Sequence, residues 1–166
     1  MPLEMGSTEV AYLTWRNDLN TGIEVIDAQH RRIVEMINQL DETQGQDRAA
    51  VGVVIEALVD YTVSHFAFEE SLMEDAGYQF SRAHKRIHDL FIKRVSDYRG
   101  RYAAGEDVAG ELQELLSRWL FSHIKEEDAS YVGSVRAQMQ SLASDRSSGG
   151  WLSRSMKRFF GRSEAA

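Results

Sequence analysis

Along the chain, apolar residues recur at intervals of three and four rather than two, a spacing that predicts helices throughout. A first helix is expected over about 25–40, where Ile26, Ile33, Val34, Ile37 and Leu40 form one stripe, with 41–47 as the turn that follows. A second is expected over 48–76, with Val51, Val54, Ile55, Leu58, Phe66, Leu72 and Met73 facing inward and Gly77 as its stop. A third starts near Ser81, read as an N-cap, and carries Ile87, Phe91, Val95, Tyr98 and Tyr102 before Gly105. The fourth runs over about 108–127, with Leu112, Leu115, Leu116, Trp119, Leu120 and Ile124 on its inner face.

The single proline, Pro2, interrupts none of these segments, and their short connections favour antiparallel neighbours. The expected fold is therefore all-α: an up-down-up-down antiparallel four-helix bundle over 15–131, preceded by an N-terminal arm, 1–14, and followed by a C-terminal helical extension, 132–166. Within that extension a weaker helical stretch reaches about Leu142, a Ser/Gly-rich linker spans 144–150, and a terminal segment spans 151–160. As a helix, the terminal segment sets Trp151, Leu152, Met156, Phe159 and Phe160 against Arg154, Lys157 and Arg158. Such a basic amphipathic piece suits docking on its own bundle, pairing in an oligomer, or contact with a membrane surface or partner protein.

Composition narrows the chemistry. The chain has no cysteine, which removes disulfides, thiolate metal sites and iron–sulfur clusters, so a metal here needs histidine and carboxylate ligands. A net charge of -7 speaks against nucleic acid as partner. No uninterrupted apolar run approaches the roughly 20 residues of a bilayer span, and the first residues lack the layout of a secretory signal. The expectation is a cytoplasmic protein whose basic tail offers a route to the membrane periphery.

All five histidines, His30, His65, His84, His88 and His123, fall on the inward stripe of an expected helix. A lone histidine on such a stripe is ordinarily a hydrogen-bonded core residue, but five of five points to ligands. His65 with Glu69, and His84 with His88, are pairs four residues apart, which project from one helix face and can share a site. Glu69 on a core stripe needs a cation, because an unpaired buried carboxylate costs several kcal/mol or more. Arg82, Lys85 and Arg86 lie off the inward line, which leaves a metal as the counter-charge. After His123 come Glu126, Glu127 and Asp128; spacing favours Glu127, and periodicity alone leaves all three open, with Asp128 requiring an unwound last turn.

Taken together, W-R-N-D-L-N-T-G-I-E-V-I-D-A-Q-H from Trp15, H-F-A-F-E-E from His65, H-K-R-I-H from His84 and W-L-F-S-H-I-K-E-E-D from Trp119 resemble the hemerythrins, in particular the bacterial ones. The similarity covers roughly Leu13 to Tyr131; Leu19 stands where an aromatic is common, and about thirty residues extend past it. The resemblance implies two non-heme iron ions with a bridging oxo or hydroxo group. It assigns His84, His88 and His123 to one iron, His30 and His65 to the other, and Glu69 and Asp128 to both. It thereby selects Asp128 over Glu127, and places Trp119, Leu120 and Tyr131 at positions that line or support the family's pocket, with Phe66 and Ile124 beside Leu120.

Two ferrous ions against two carboxylates and a hydroxide leave one positive charge among neutral imidazoles, a charge low enough to bury. Ferritin-like sites use more carboxylates through paired Glu-x-x-His motifs absent from this sequence. The implied activity is reversible binding of molecular oxygen, not catalysis, with the two-histidine iron one ligand short and apolar walls slowing loss of superoxide. The alternatives are a di-iron enzyme reducing peroxide or nitric oxide, and a sensor of oxygen or iron acting through the tail.

Overall fold

The computed structural model describes residues 11–143 and 148–161, and the described residues outside helices are turns and connections only. The helices are α1 (Glu24–Thr43), α2 (Arg48–Asp75), α3 (Ser81–Ala103), α4 (Ala109–His123), α5 (Ala129–Ala143) and α6 (Ser148–Phe160), with a 3₁₀ turn at Asn17–Leu19. Packing of α1 on α2 and α4, of α2 on α3, and of α3 on α4 closes the four-helix bundle. Its core contains the expected stripes: Ile33, Ile37 and Leu40 of α1, Ile55, Leu58 and Phe66 of α2, Phe91 and Val95 of α3, and Leu112, Leu116 and Leu120 of α4 are buried together. Helix α2 is apolar and long enough by composition to cross a membrane, but Val51, Ile55, Leu58, Val59 and Phe66 are buried in the bundle core and Phe68, Leu72 and Met73 in a second cluster with α5 and α6.

Local chemistry sets the ends. The Asp47 carboxylate accepts the Ala50 N–H at 2.8 Å, which caps α2. At the other end Tyr78 N–H reaches Met73 O and Gly77 N–H reaches Glu74 O, the closing pair of bonds that needs a left-handed residue, and Gly77 supplies φ +70. The N-cap of α3 is Phe80 rather than Ser81; Ser81 is the first helical residue, and no side chain caps that end. Before α1, Asp27 folds the entry loop onto the helix: its carboxylate accepts from Thr21 N–H, the Thr21 hydroxyl and Gly22 N–H at 2.7–3.0 Å. Leu19, buried at the edge of the core, anchors the same loop.

Two expectations about the C-terminal half are corrected. The fourth helix does not end near Glu127: a π turn, Ile124–Asp128, joins α4 directly to α5, and Ala129 N–H bonds back to Ile124 O five residues earlier. The extra residue widens the turn without breaking it. In the expected linker 144–150, residues 148–150 belong to α6 and 144–147 lie outside the described residues. Also outside them are 1–10 of the expected N-terminal arm and 162–166 of the extension.

Helix α6 lies on α2 and α5 with its apolar face inward. The Trp151 indole N–H donates to Asp75 Oδ2 at 3.0 Å, and the Phe160 ring sits against Tyr61 and Phe68. Arg154, Lys157 and Arg158 remain exposed.

Candidate metal centre

Each of the four bundle helices contributes to one buried cluster of donors. His30 comes from α1, His65 and Glu69 from α2, His84 and His88 from α3, His123 from α4, and Asp128 from the π turn; all are 4% exposed or less. The π turn explains the choice among the acids after His123. Five residues of widened turn return Asp128 to the face of His123, while Lys125 and Glu126 point to solvent and Glu127 is only half-buried. The turn is locally underwound, as Asp128 requires, but its hydrogen bonds are not broken.

The donors form two groups, His84, His88, His123 and Asp128 on one side and His30, His65 and Glu69 on the other. In the first, His88 Nε2 lies 3.1 Å from His84 Nε2 and 2.9 Å from His123 Nε2, and Asp128 Oδ1 is 3.1 Å from both His84 Nε2 and His123 Nε2. In the second, Glu69 Oε1 is in close contact with His65 Nε2 and 3.5 Å from His30 Nε2. Asp128 joins the groups, because its other oxygen, Oδ2, is 3.2 Å from His30 Nε2. Glu69 contacts His30 and His65 through the single oxygen Oε1, so the two-sided reach belongs to Asp128.

The residues behind the donors set their protonation. His88 Nδ1–H donates to Glu70 Oε1 at 3.0 Å and His65 Nδ1–H to Gln29 Oε1 at 2.6 Å, so each ring turns a bare Nε2 lone pair toward the cluster. Burial pushes His88 down, which keeps it neutral despite Glu70. Burial also disfavours charge on His30, but the Asp128 and Glu69 carboxylates outweigh it and raise His30 to about 9. His84 is raised in the same way, burial opposing and Asp128 prevailing. Burial would raise Asp128 and Glu69, yet the surrounding imidazoles hold both below the usual carboxylate range, His123, His30 and His84 around the first and His65 and His30 around the second.

This donor set fits a metal. Nε2 of His30 and all four carboxylate oxygens of Glu69 and Asp128 face the cluster, buried without a hydrogen-bond partner, a cost of about 1–3 kcal/mol for each group left so. Imidazole lone pairs about 3 Å apart repel unless a cation lies between them, and about 3 Å is the spacing of adjacent ligands held about 2.1 Å from one ion. Around the donors the walls are aromatic and aliphatic. Phe66 stacks on His88 with centroids 3.9 Å apart, Trp119 on His123 at 4.1 Å, and Phe91 on Trp119 at 3.7 Å. Leu120 and Ile124 are buried in the same core cluster as Phe66.

All seven expected ligand positions are thus brought together. Gln29 and Glu70 were not singled out from the sequence. Each is the neighbour of a ligand, Gln29 before His30 and Glu70 after Glu69, and orients a histidine on a different helix, a relation that spacing along one helix does not reveal. Tyr131, fully buried, has a phenol pushed well above its usual range by burial and by the Glu69 and Asp128 charges, so it stays protonated.

Comparison with known proteins agrees with this geometry. Residues 21–134 match the family model described as the hemerythrin HHE cation binding domain. The chain is 69% identical over 153 residues to a bacteriohemerythrin of Pseudomonas aeruginosa, covering 92% of this chain and all of that one. It is 34% identical over 125 residues to a bacteriohemerythrin of Methylococcus capsulatus, covering 74% and 95%. A crystal structure of wild-type hemerythrin superposes with a TM-score of 0.72 at 32% identity, over 75% of this chain and 98% of that one. The chain belongs to the hemerythrin family, the oxygen-binding proteins that carry non-heme iron between the helices of a bundle.

Proposed function

We propose that this chain holds two iron ions with a bridging oxo or hydroxo group and binds molecular oxygen reversibly. The observation that carries this reading is the split carboxylate of Asp128, one oxygen against His84 and His123 and the other against His30, in a cluster whose buried acceptors otherwise lack partners. His84, His88 and His123 would hold one iron and His30 and His65 the other, with Glu69 and Asp128 shared between them. Held there, two ferrous ions would supply the reversible redox chemistry that oxygen binding needs.

Features of the chain's own residues support binding as the outcome. Gln29 and Glu70 fix the tautomers of His65 and His88, so both present Nε2 without a conformational search. Three imidazoles stand on one side against two on the other, which makes the His30 and His65 side the more open one. Phe66, Leu120 and Ile124 are buried together with Trp119 packed against them; these four offer no acidic proton, and the Tyr131 phenol near Glu69 and Asp128 is held well above its usual range, conditions that favour retention of bound oxygen over its reduction. This supports carriage, storage or delivery of oxygen rather than turnover.

The test is anaerobic iron(II) loading followed by addition and removal of oxygen, with iron counted and visible absorption recorded. Two irons per chain and a coloured adduct that disappears on deoxygenation are expected. Irreversible turnover with added reductant would make the protein an enzyme, and fewer than two irons would overturn the assignment.

A further inference from the structure

Helix α6 lies beyond the residues matched by the family model, yet one of its side chains reaches the residue that orients a ligand. The Gln29 side chain, 2% exposed, spans two partners: its Oε1 accepts from His65 Nδ1–H at 2.6 Å, and its Nε2 donates to Met156 Sδ of α6 at 3.1 Å. We propose that Met156 is a positioning residue for the metal centre, and that the C-terminal helix holds His65 in register through Gln29. This rests on His65 being an iron ligand.

The chemistry of the two amide ends makes the contact directional. A primary amide can turn over, exchanging its oxygen for its nitrogen with little change in shape. Facing His65 with nitrogen would set N–H against N–H, or force the imidazole into the tautomer whose Nε2 carries the proton and so cannot ligate a metal. A thioether has no proton to donate and is only an acceptor. Met156 therefore accepts the NH₂ end and leaves the carbonyl oxygen for His65. The burial of Trp151 and the seating of Phe160 against Tyr61 and Phe68 hold α6 along α2 on either side of Met156. Glu70, which plays the corresponding part for His88, is a carboxylate with two equivalent oxygens and needs no such lock.

The experiment uses the full-length, ¹⁵N-labelled protein, metal-free and loaded with zinc, a diamagnetic ion that takes the same ligands. Ring-nitrogen NMR spectra report the tautomer of His65 and the solvent exchange of its Nδ1–H, with His88 as internal reference and the Trp151 indole N–H reporting that α6 stays docked. Met156→Leu keeps the volume and apolar contact but removes the acceptor. It should speed exchange of the His65 Nδ1–H about fivefold, the factor expected for loss of an ordinary hydrogen bond, and leave His88 unchanged. Adding Gln29→Glu to Met156→Leu should restore slow exchange, since a carboxylate cannot present the wrong end.

Unchanged exchange at His65 in Met156→Leu, or an equal change at His88, would overturn the proposal and leave Met156 as packing. No rescue by the double variant would also overturn it, because a purely steric effect is indifferent to which acceptor faces His65. Failure of His65 Nε2 to shift on zinc addition would instead count against the ligand assignment, and the metal-free spectra would still decide the role of Met156.

Discussion

Metal uptake by chelator-stripped protein should release a proton from His30, with a pH dependence set by two carboxylates. In the metal-free cluster the negative charges of Asp128 and Glu69 face His30 Nε2 at 3.2 and 3.5 Å, and a proton on that nitrogen is the nearest available counter-charge. The ring is raised from 6.5 to about 9, which at about 1.4 kcal/mol for each pH unit amounts to about 3 kcal/mol. Because the folded value lies above the unfolded one, this contribution to metal-free stability is complete below pH 6.5 and is lost as pH rises through about 9. A metal must displace the same proton. Its apparent affinity should therefore rise about tenfold per pH unit between these limits, roughly two orders of magnitude in all, and more steeply where His84 also gives up a proton. Zinc titration against a chromophoric chelator at several pH values measures the slope, and urea unfolding of the metal-free protein measures the opposite trend in stability. An affinity that stays flat across the interval, once the chelator's own protonation is subtracted, would show that His30 is neutral in the metal-free cluster and that the carboxylates are balanced by another charge.

Three substitutions probe other parts of the site. Leu120→Ala opens the apolar wall one turn before His123 and should still bind oxygen but autoxidise faster, measured as decay of the coloured adduct; an unchanged rate would remove Leu120 from any gating role. Phe66→Ala deletes a 1% exposed ring that stacks on His88 and packs against Trp119 and Phe91, and should cost about 3–5 kcal/mol in urea unfolding. Asp27→Ala leaves Thr21 N–H, the Thr21 hydroxyl and Gly22 N–H without their acceptor and should cost about 1–3 kcal/mol, with faster amide exchange confined to the loop entering α1.

Much of the site is legible in the sequence, for a reason visible in α2. His65 and Glu69 are four residues apart on a helix whose other inward residues are apolar, so their burial and common direction follow from periodicity alone. The same holds for His84 and His88 on α3. At Asp128 the sequence is ambiguous. A regular helix presents Glu127 beside His123, and only the resemblance to a known family selected the next residue. The π turn supplies the physical cause, and one inserted residue leaves no hydropathy signal of its own.

From its order of residues alone this chain specified four amphipathic helices, their breaks at Gly77 and Gly105, and a set of inward histidines and acids without a basic partner. Those are properties of single helices, carried by neighbours three and four positions apart. Only the folded bundle decided which imidazoles share an ion, that Asp128 reaches both groups, that Gln29 and Glu70 set tautomers across helices, and that α6 lies on α2 rather than elsewhere. Each of those contacts joins residues far apart in sequence through packing of one helix on another, and packing registers are settled by the fit of whole surfaces, which no local spacing encodes.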